Sequence, residues 1–269
     1  MASLKKLLTR KSKLHPYTLH LADTDSTHKP ANRPIIVFVH HYGGSEKTLR
    51  RHAELATKLG FDCVTFNLTH DGINLKSVIH NFPRILFMWS AQKSWSIEVT
   101  NVLDQLGDRK KIIFAFSGPS ACAIRAIASR YKKNVFDIEA YICDSGPFYD
   151  PWWCTREMLK ELHGMTSTWP RELILAFMMT RWDLNHKNNV RRGLSHIVHH
   201  KPDIPILSLQ GAKDGIVPPE QISPVFKGIG FTNYNECILE KAGHLTGLKN
   251  DPAAYETAVK NFLRDNKLG

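Results

Sequence analysis

The feature that most constrains this chain is a rhythm: short apolar runs alternate with longer stretches whose apolar residues recur at helical spacing. The run Ile35–Val39 (Ile-Ile-Val-Phe-Val) holds no polar position, the pattern of a strand covered on both faces rather than one. After a Gly-Gly turn, 46–59 sets Leu49, His52, Ala53, Leu55, Ala56 and Leu59 at mixed three- and four-residue spacing, with Gly60 as its cap. The alternation continues with a strand expected at 62–68, a helix at 94–106, a strand at 112–116 and a helix of small residues at 121–129. Strands at 138–143, 206–210 and 236–239 follow, then a helix at 252–264. Such repeated strand–helix units build an α/β domain with a mainly parallel sheet and helices on both faces. Residues 17–21 are expected to add an antiparallel edge strand.

Two aromatic-rich stretches break the rhythm, 70–93 and 148–201. The second, with Trp152, Trp153, Trp169 and Trp182, reads as an inserted helical cap. The expected organisation is a basic N-terminal segment (1–33) carrying the edge strand, a core formed by 34–147 and 202–269, and the cap (148–201). A chain of 269 residues with no Pro/Gly/Ser-rich linker fits one large domain.

Charge narrows the partners. Thirty-six Lys and Arg against 25 Asp and Glu give +11, which favours anionic surfaces. The basic pairs Lys5-Lys6, Arg50-Arg51, Lys110-Lys111, Lys132-Lys133 and Arg191-Arg192 are dispersed and lack the aromatic spacing of a nucleic-acid face, so no nucleic-acid partner is expected. The basic first thirteen residues suggest peripheral contact with a membrane, and no apolar stretch approaches the roughly 20 residues of a span. No apolar segment follows the N-terminal charges as in a secretory signal. Three of the five cysteines (Cys63, Cys122, Cys143, Cys154, Cys237) sit in apolar runs, and none forms a CxxC pair. Both observations point to the cytoplasm.

The chemistry starts where the 112–116 strand runs into Ser117-Gly118-Pro119-Ser120-Ala121 and a helix. A serine on such a turn projects from the carboxyl edge of the sheet, with a helix N-terminus behind it to stabilise negative charge. The position two before it must be small, and it is Ala115. Against Gly-x-Ser-x-Gly, Ala115 and Pro119 replace the glycines; proline is tolerated in the first helical turn. Ser120, in Gly118-Pro119-Ser120-Ala121-Cys122, is the rival register, and a serine that only caps the helix is the plainer alternative.

A second motif, His40-His41-Tyr42-Gly43-Gly44-Ser45, follows the strand Ile35–Val39. Together these residues resemble the α/β-hydrolases, of the esterase and lipase type, in which a His-Gly-x-Gly-Gly loop lies at this position. By that resemblance the N–H groups of Tyr42 and Gly118 form the oxyanion hole, with His41 standing where the family has glycine. Gly211-Ala212-Lys213-Asp214-Gly215-Ile216-Val217-Pro218 resembles the family's acid loop and Gly243-His244 its base. Ser117, Asp214 and His244 then come in the order Ser, Asp, His that the family shows. Asp144 is the alternative acid, since some members carry it after the preceding strand. The resemblance spans about 34–263 and implies the α/β-hydrolase fold.

It also implies a serine esterase or lipase-like enzyme acting on a small-molecule ester, with Phe148, Tyr149, Trp152, Trp153, Phe177, Met178 and Met179 as candidate acyl-pocket residues. Thioesterase, peptidase and carbon–carbon-bond hydrolase share the triad. A non-catalytic binding protein of the same fold is the rival from another class. No zinc-site spacing and no phosphate- or dinucleotide-binding glycine motif is present, so neither a metal nor a cofactor is expected.

Overall fold

The computed structural model describes residues 14–23, 33–69, 91–164 and 185–268. In chain order these form β1 (Thr18–His20), β2 (Ile35–Val39), a 3-10 turn (Glu46–Leu49), α1 (Arg50–Lys58), β3 (Cys63–Thr65), α2 (Ala91–Gln105), β4 (Lys111–Phe116) and α3 (Ser120–Tyr131). They continue with β5 (Ile138–Asp144), α4 (Pro151–His163), α5 (His186–His200), β6 (Ile206–Gly211), α6 (Pro219–Phe226), β7 (Tyr234–Leu239), α7 (Gly247–Asn250) and α8 (Pro252–Asp265).

The seven strands make one sheet in the order β1-β3-β2-β4-β5-β6-β7. All neighbours are parallel except β1, the antiparallel edge strand, whose Thr18 faces Thr65 of β3. Period-two alternation divides the apolar runs between two cores. Ile35, Val37, Val39, Ile113, Ala115, Tyr141 and Cys143 face α2, α3, α5 and α6. Ile36, Phe38, Ile112, Phe114, Phe116, Ala140 and Ile142 face α1 and α8. Helices thus cover both faces, and β2, β4 and β5 are buried almost throughout.

Differences from the sequence expectations have local causes. The 62–68 strand shortens to Cys63–Thr65, because the Asp62 carboxylate caps the N–H of Ala22 and the Leu68 N–H turns to His40 Nε2. The expected 46–59 helix is a 3-10 turn followed by α1. Of the 148–201 segment, α4 and α5 are described. Val190, Leu194 and Ile197 of α5 lie in the core against α3, with Gly193 so close that a Cβ there would meet Ile124 Cγ2 at 2.8 Å. Trp169, Phe177, Met178, Met179 and Trp182, the basic segment 1–13 and most of 70–93 lie outside the described residues.

At the amino end of the sheet Lys111, fully buried, meets Asp137 at 2.5 Å, and Arg130 grips the same carboxylate through Nε at 2.9 Å and an NH2 group at 2.5 Å. Burial opposes ionisation of Asp137, but the hydrogen bonds and charges of Arg130 and Lys111 outweigh it and leave the carboxyl below its ordinary range. All five cysteines are free thiols. Among the described residues no helix is long and apolar enough to cross a membrane.

Candidate active site

Register brings the sequence-predicted groups to one edge. Val39 pairs with Ala115 on neighbouring parallel strands, so the loop beginning at His40 and the turn at Ser117 leave the sheet side by side. β4 continues straight into α3 through Ser117, which takes φ 52°, a left-handed conformation that a non-glycine residue rarely holds. Its N–H donates to the Asp144 carbonyl at 2.8 Å, and its carbonyl accepts from Ser120 N–H at 3.0 Å. The strained turn is therefore fastened on both sides. Ala115 is wholly buried between β2 and β5, and Pro119 precedes the first residue of α3, where no helical N–H is lost.

The acid and base arrive on the loops after β6 and β7, and these loops are tied together. Ala212 N–H donates to the Leu239 carbonyl at 3.0 Å and Lys213 N–H to that of Ala242 at 2.9 Å. A Cβ on Gly211 would stand 2.6 Å from the Ala242 oxygen, so only glycine permits this approach. Asp214 is buried; its Oδ1 accepts the N–H groups of Ile216 (3.0 Å) and Val217 (2.7 Å), leaving Oδ2 for His244 Nδ1 at 2.8 Å. That bond puts the proton on Nδ1 and turns the Nε2 lone pair toward Ser117 Oγ, 3.1 Å away. Ser117, His244 and Asp214 form a continuous relay with the geometry of a base-activated nucleophile.

The two rival candidates, Ser120 and Asp144, have different surroundings. Ser120 is fully buried in the first turn of α3, and among the described residues its Oγ has no hydrogen-bond partner, so it does not meet His244. Asp144 makes its hydrogen bonds elsewhere: Ser145 Oγ and Tyr255 Oη each donate to its carboxylate at 2.9 Å. Burial raises this carboxyl from its ordinary 3.8 to about 6.

Gly118 N–H has no hydrogen-bond partner among the described residues and begins the helix turn behind Ser117. On the other loop, two histidines shape the chain around Tyr42. His40 accepts the Leu68 N–H on Nε2 at 2.9 Å and donates from Nδ1 to the His41 carbonyl at 2.7 Å. His41 Nδ1 lies 2.9 Å from the Tyr42 carbonyl, and its ring closes over Gly44, where a Cβ would stand 2.9 Å from Nε2. His41 thus fills the space beside Gly44. Burial holds its imidazole below the ordinary histidine value, and the neighbouring His244 acts in the same direction. Sequence reasoning missed the roles of His40 and His41; the His-His pair directly after a buried strand was the available signal. It also missed Ser145, whose Oγ accepts the Leu245 N–H at 3.2 Å and so ties the base loop to β5.

Among the described residues no group of three His, Cys, Asp or Glu side chains is placed to hold a metal ion. Of the apolar candidates, Phe148 is buried and Tyr149 and Trp153 pack against the same core, whereas Trp152 is exposed.

No protein-family model and no curated protein matches the sequence. Solved structures match in fold. An esterase from Pyrococcus furiosus superposes with a TM-score of 0.59 at 16% identity, covering 87% of this chain and 82% of its own. A metagenome-derived lipolytic enzyme gives 0.63 at 15%, covering 94% of this chain and 100% of its own. A monoacylglycerol lipase from Paleococcus ferrophilus gives 0.60 at 14%, covering 94% and 99%. The chain has the α/β-hydrolase fold.

Proposed function

We propose that this chain is a serine hydrolase that cleaves a carboxylic ester of small-molecule size by way of an acyl-enzyme. The observation that carries the reading is the relay from Ser117 Oγ to His244 Nε2 (3.1 Å) and from His244 Nδ1 to Asp214 Oδ2 (2.8 Å), built on a serine held at φ 52°. His244 takes the Ser117 proton as Oγ attacks the carbonyl carbon, and Asp214 stabilises the imidazolium. The N–H groups of Gly118 and Tyr42 receive the oxyanion. The tetrahedral intermediate collapses as His244 returns the proton to the leaving alcohol, and water, activated the same way, releases the acid. Loss of one oxyanion donor costs roughly a hundredfold or more in rate. The esterases and lipases of similar fold support ester substrates over the other bonds a triad can cleave.

A fluorophosphonate probe tests this directly. The wild-type protein is expected to label stoichiometrically and to hydrolyse p-nitrophenyl esters, and Ser117→Ala to do neither. Wild-type protein that is folded yet unlabelled refutes the enzyme reading and favours a binding protein of this fold. We also propose a cytoplasmic protein whose basic N-terminal segment contacts acidic membrane surfaces.

A further inference from the structure

The chain leaving β5 wraps round the nucleophile. The Asp144 carbonyl accepts the Ser117 N–H at 2.8 Å, and Gly146 lies so close that a Cβ on it would stand 2.4 Å from the Ser117 carbonyl oxygen. A backbone pinned so tightly has little freedom in where it delivers its next large side chain, which is Phe148. The Cζ of that ring lies 3.7 Å from the position a Cβ on Gly118 would take. Gly118 carries one of the two N–H groups assigned to the oxyanion, so the ring stands beside the point where a substrate carbonyl would sit.

Phe148 is also held from behind. His186 of α5, itself buried, donates from Nε2 to the Phe148 carbonyl at 2.8 Å and accepts from Gln92 Nε2 of α2 on Nδ1 at 2.9 Å; its ring centroid is 5.8 Å from that of Phe148. Both ring nitrogens are engaged, which ties two helices to one carbonyl. Tyr42 and Trp153, partly buried, pack against the apolar cluster to which Phe148 belongs. With its carbonyl oxygen about 3 Å from Gly118 N–H and its carbonyl carbon at Ser117 Oγ, an ester whose acyl side faces Phe148 brings its first acyl carbon against this wall. An unbranched chain can turn along the wall, but a branch at that carbon meets the buried Phe148 ring, and a packed wall yields to added methyl groups only at a cost.

We propose that Phe148, positioned by His186 and Gln92, is the specificity-determining residue of this site: it admits acyl groups unbranched next to the carbonyl and excludes branched ones. The proposal rests on the serine-hydrolase reading above. Its test is the ratio of kcat/KM for p-nitrophenyl isobutyrate to that for p-nitrophenyl butyrate. Phe148→Ala is expected to raise this ratio at least tenfold, the scale on which pockets discriminate single methyl groups. Phe148→Leu, which better preserves the core, is expected to raise it less. His186→Ala is expected to move it the same way, and His186→Gln, whose amide can still donate to the Phe148 carbonyl, to restore the wild-type ratio. Ser117-dependent turnover with an unmoved ratio in both Phe148 variants overturns the role of Phe148 alone. Absence of Ser117-dependent turnover on either ester overturns the parent reading and the proposal together.

Discussion

Asp144→Asn separates the chemistry of a buried carboxyl from that of the triad beside it. Asp144 lies at the carboxyl end of β5, 3% exposed, with two hydroxyl donors, Ser145 and Tyr255, on its oxygens. Burial outweighs those donors and raises its pKa from 3.8 to about 6; nearby His244 lowers it and Asp214 raises it. The folded state therefore keeps a proton that the unfolded chain releases near pH 3.8. Where the folded state binds more protons, stability falls as pH rises, so Asp144 weakens the fold progressively from about pH 4 to pH 6 and by a constant amount above. A gap of about two pH units is worth about 3 kcal/mol, of which roughly 2 kcal/mol falls between pH 4.5 and 7.5. Asparagine carries no such penalty. Urea unfolding of both proteins at the two pH values gives the difference in stability, in which the titration of every other group cancels to first order. The difference is expected to shift in favour of the Asp144→Asn variant by about 2 kcal/mol on going from pH 4.5 to 7.5. A difference that stays flat with pH, or that moves toward the wild type, refutes the reasoning.

Two further substitutions probe the frame of the site. Gly146→Ala puts a Cβ 2.4 Å from the Ser117 carbonyl oxygen and 2.9 Å from its carbon, so the nucleophile turn must move. Displacement on the scale of 1 Å costs about a hundredfold; fluorophosphonate labelling should slow by at least that much while circular dichroism still reports a folded protein, and an unchanged labelling rate counts against the contact. Asp137→Asn leaves the fully buried Lys111 and the nearly buried Arg130 without their shared carboxylate. The expected loss is about 3–5 kcal/mol in urea unfolding, and a loss below about 1 kcal/mol shows that the network contributes little.

The central strands β2, β4, β5 and β6 were legible because they are buried on both faces: an apolar run such as Ile35–Val39 announces itself without reference to its partners. The turns that carry Ser117 and Asp214 were legible for a related reason, since each closely follows such a run, where local residue types betray the change of direction, and His244 lies on the loop after the half-exposed β7. What stayed hidden depends on groups that meet only after folding. Asp144 and Ser120 were credible as acid and nucleophile from their places in the chain. Asp144 is instead taken by Tyr255, 111 residues away, and Ser120 is sealed in the first turn of α3. The length of β3 was misjudged on the same ground: 66–68 is apolar enough to extend the strand, but the Leu68 N–H is claimed by a histidine 28 residues earlier.

His41 shows how far a motif carries and where it stops. Its place in the loop after β2 puts it near the Ser117 turn, because Val39 pairs with Ala115 and the two loops leave the sheet side by side. The residue type departs from the glycine of the resembling family, and sequence alone leaves the loop's conformation open. In the folded chain the imidazole holds the Tyr42 carbonyl and covers Gly44. A side chain thereby supplies a restraint on this loop that glycine, having none, leaves to the backbone. A Cβ on Gly44 would stand against the His41 imidazole, and the two positions are coupled. The departure at His41 is therefore compatible with a formed oxyanion loop, and the enzyme and binding-protein readings are separated by labelling at Ser117 rather than by the motif.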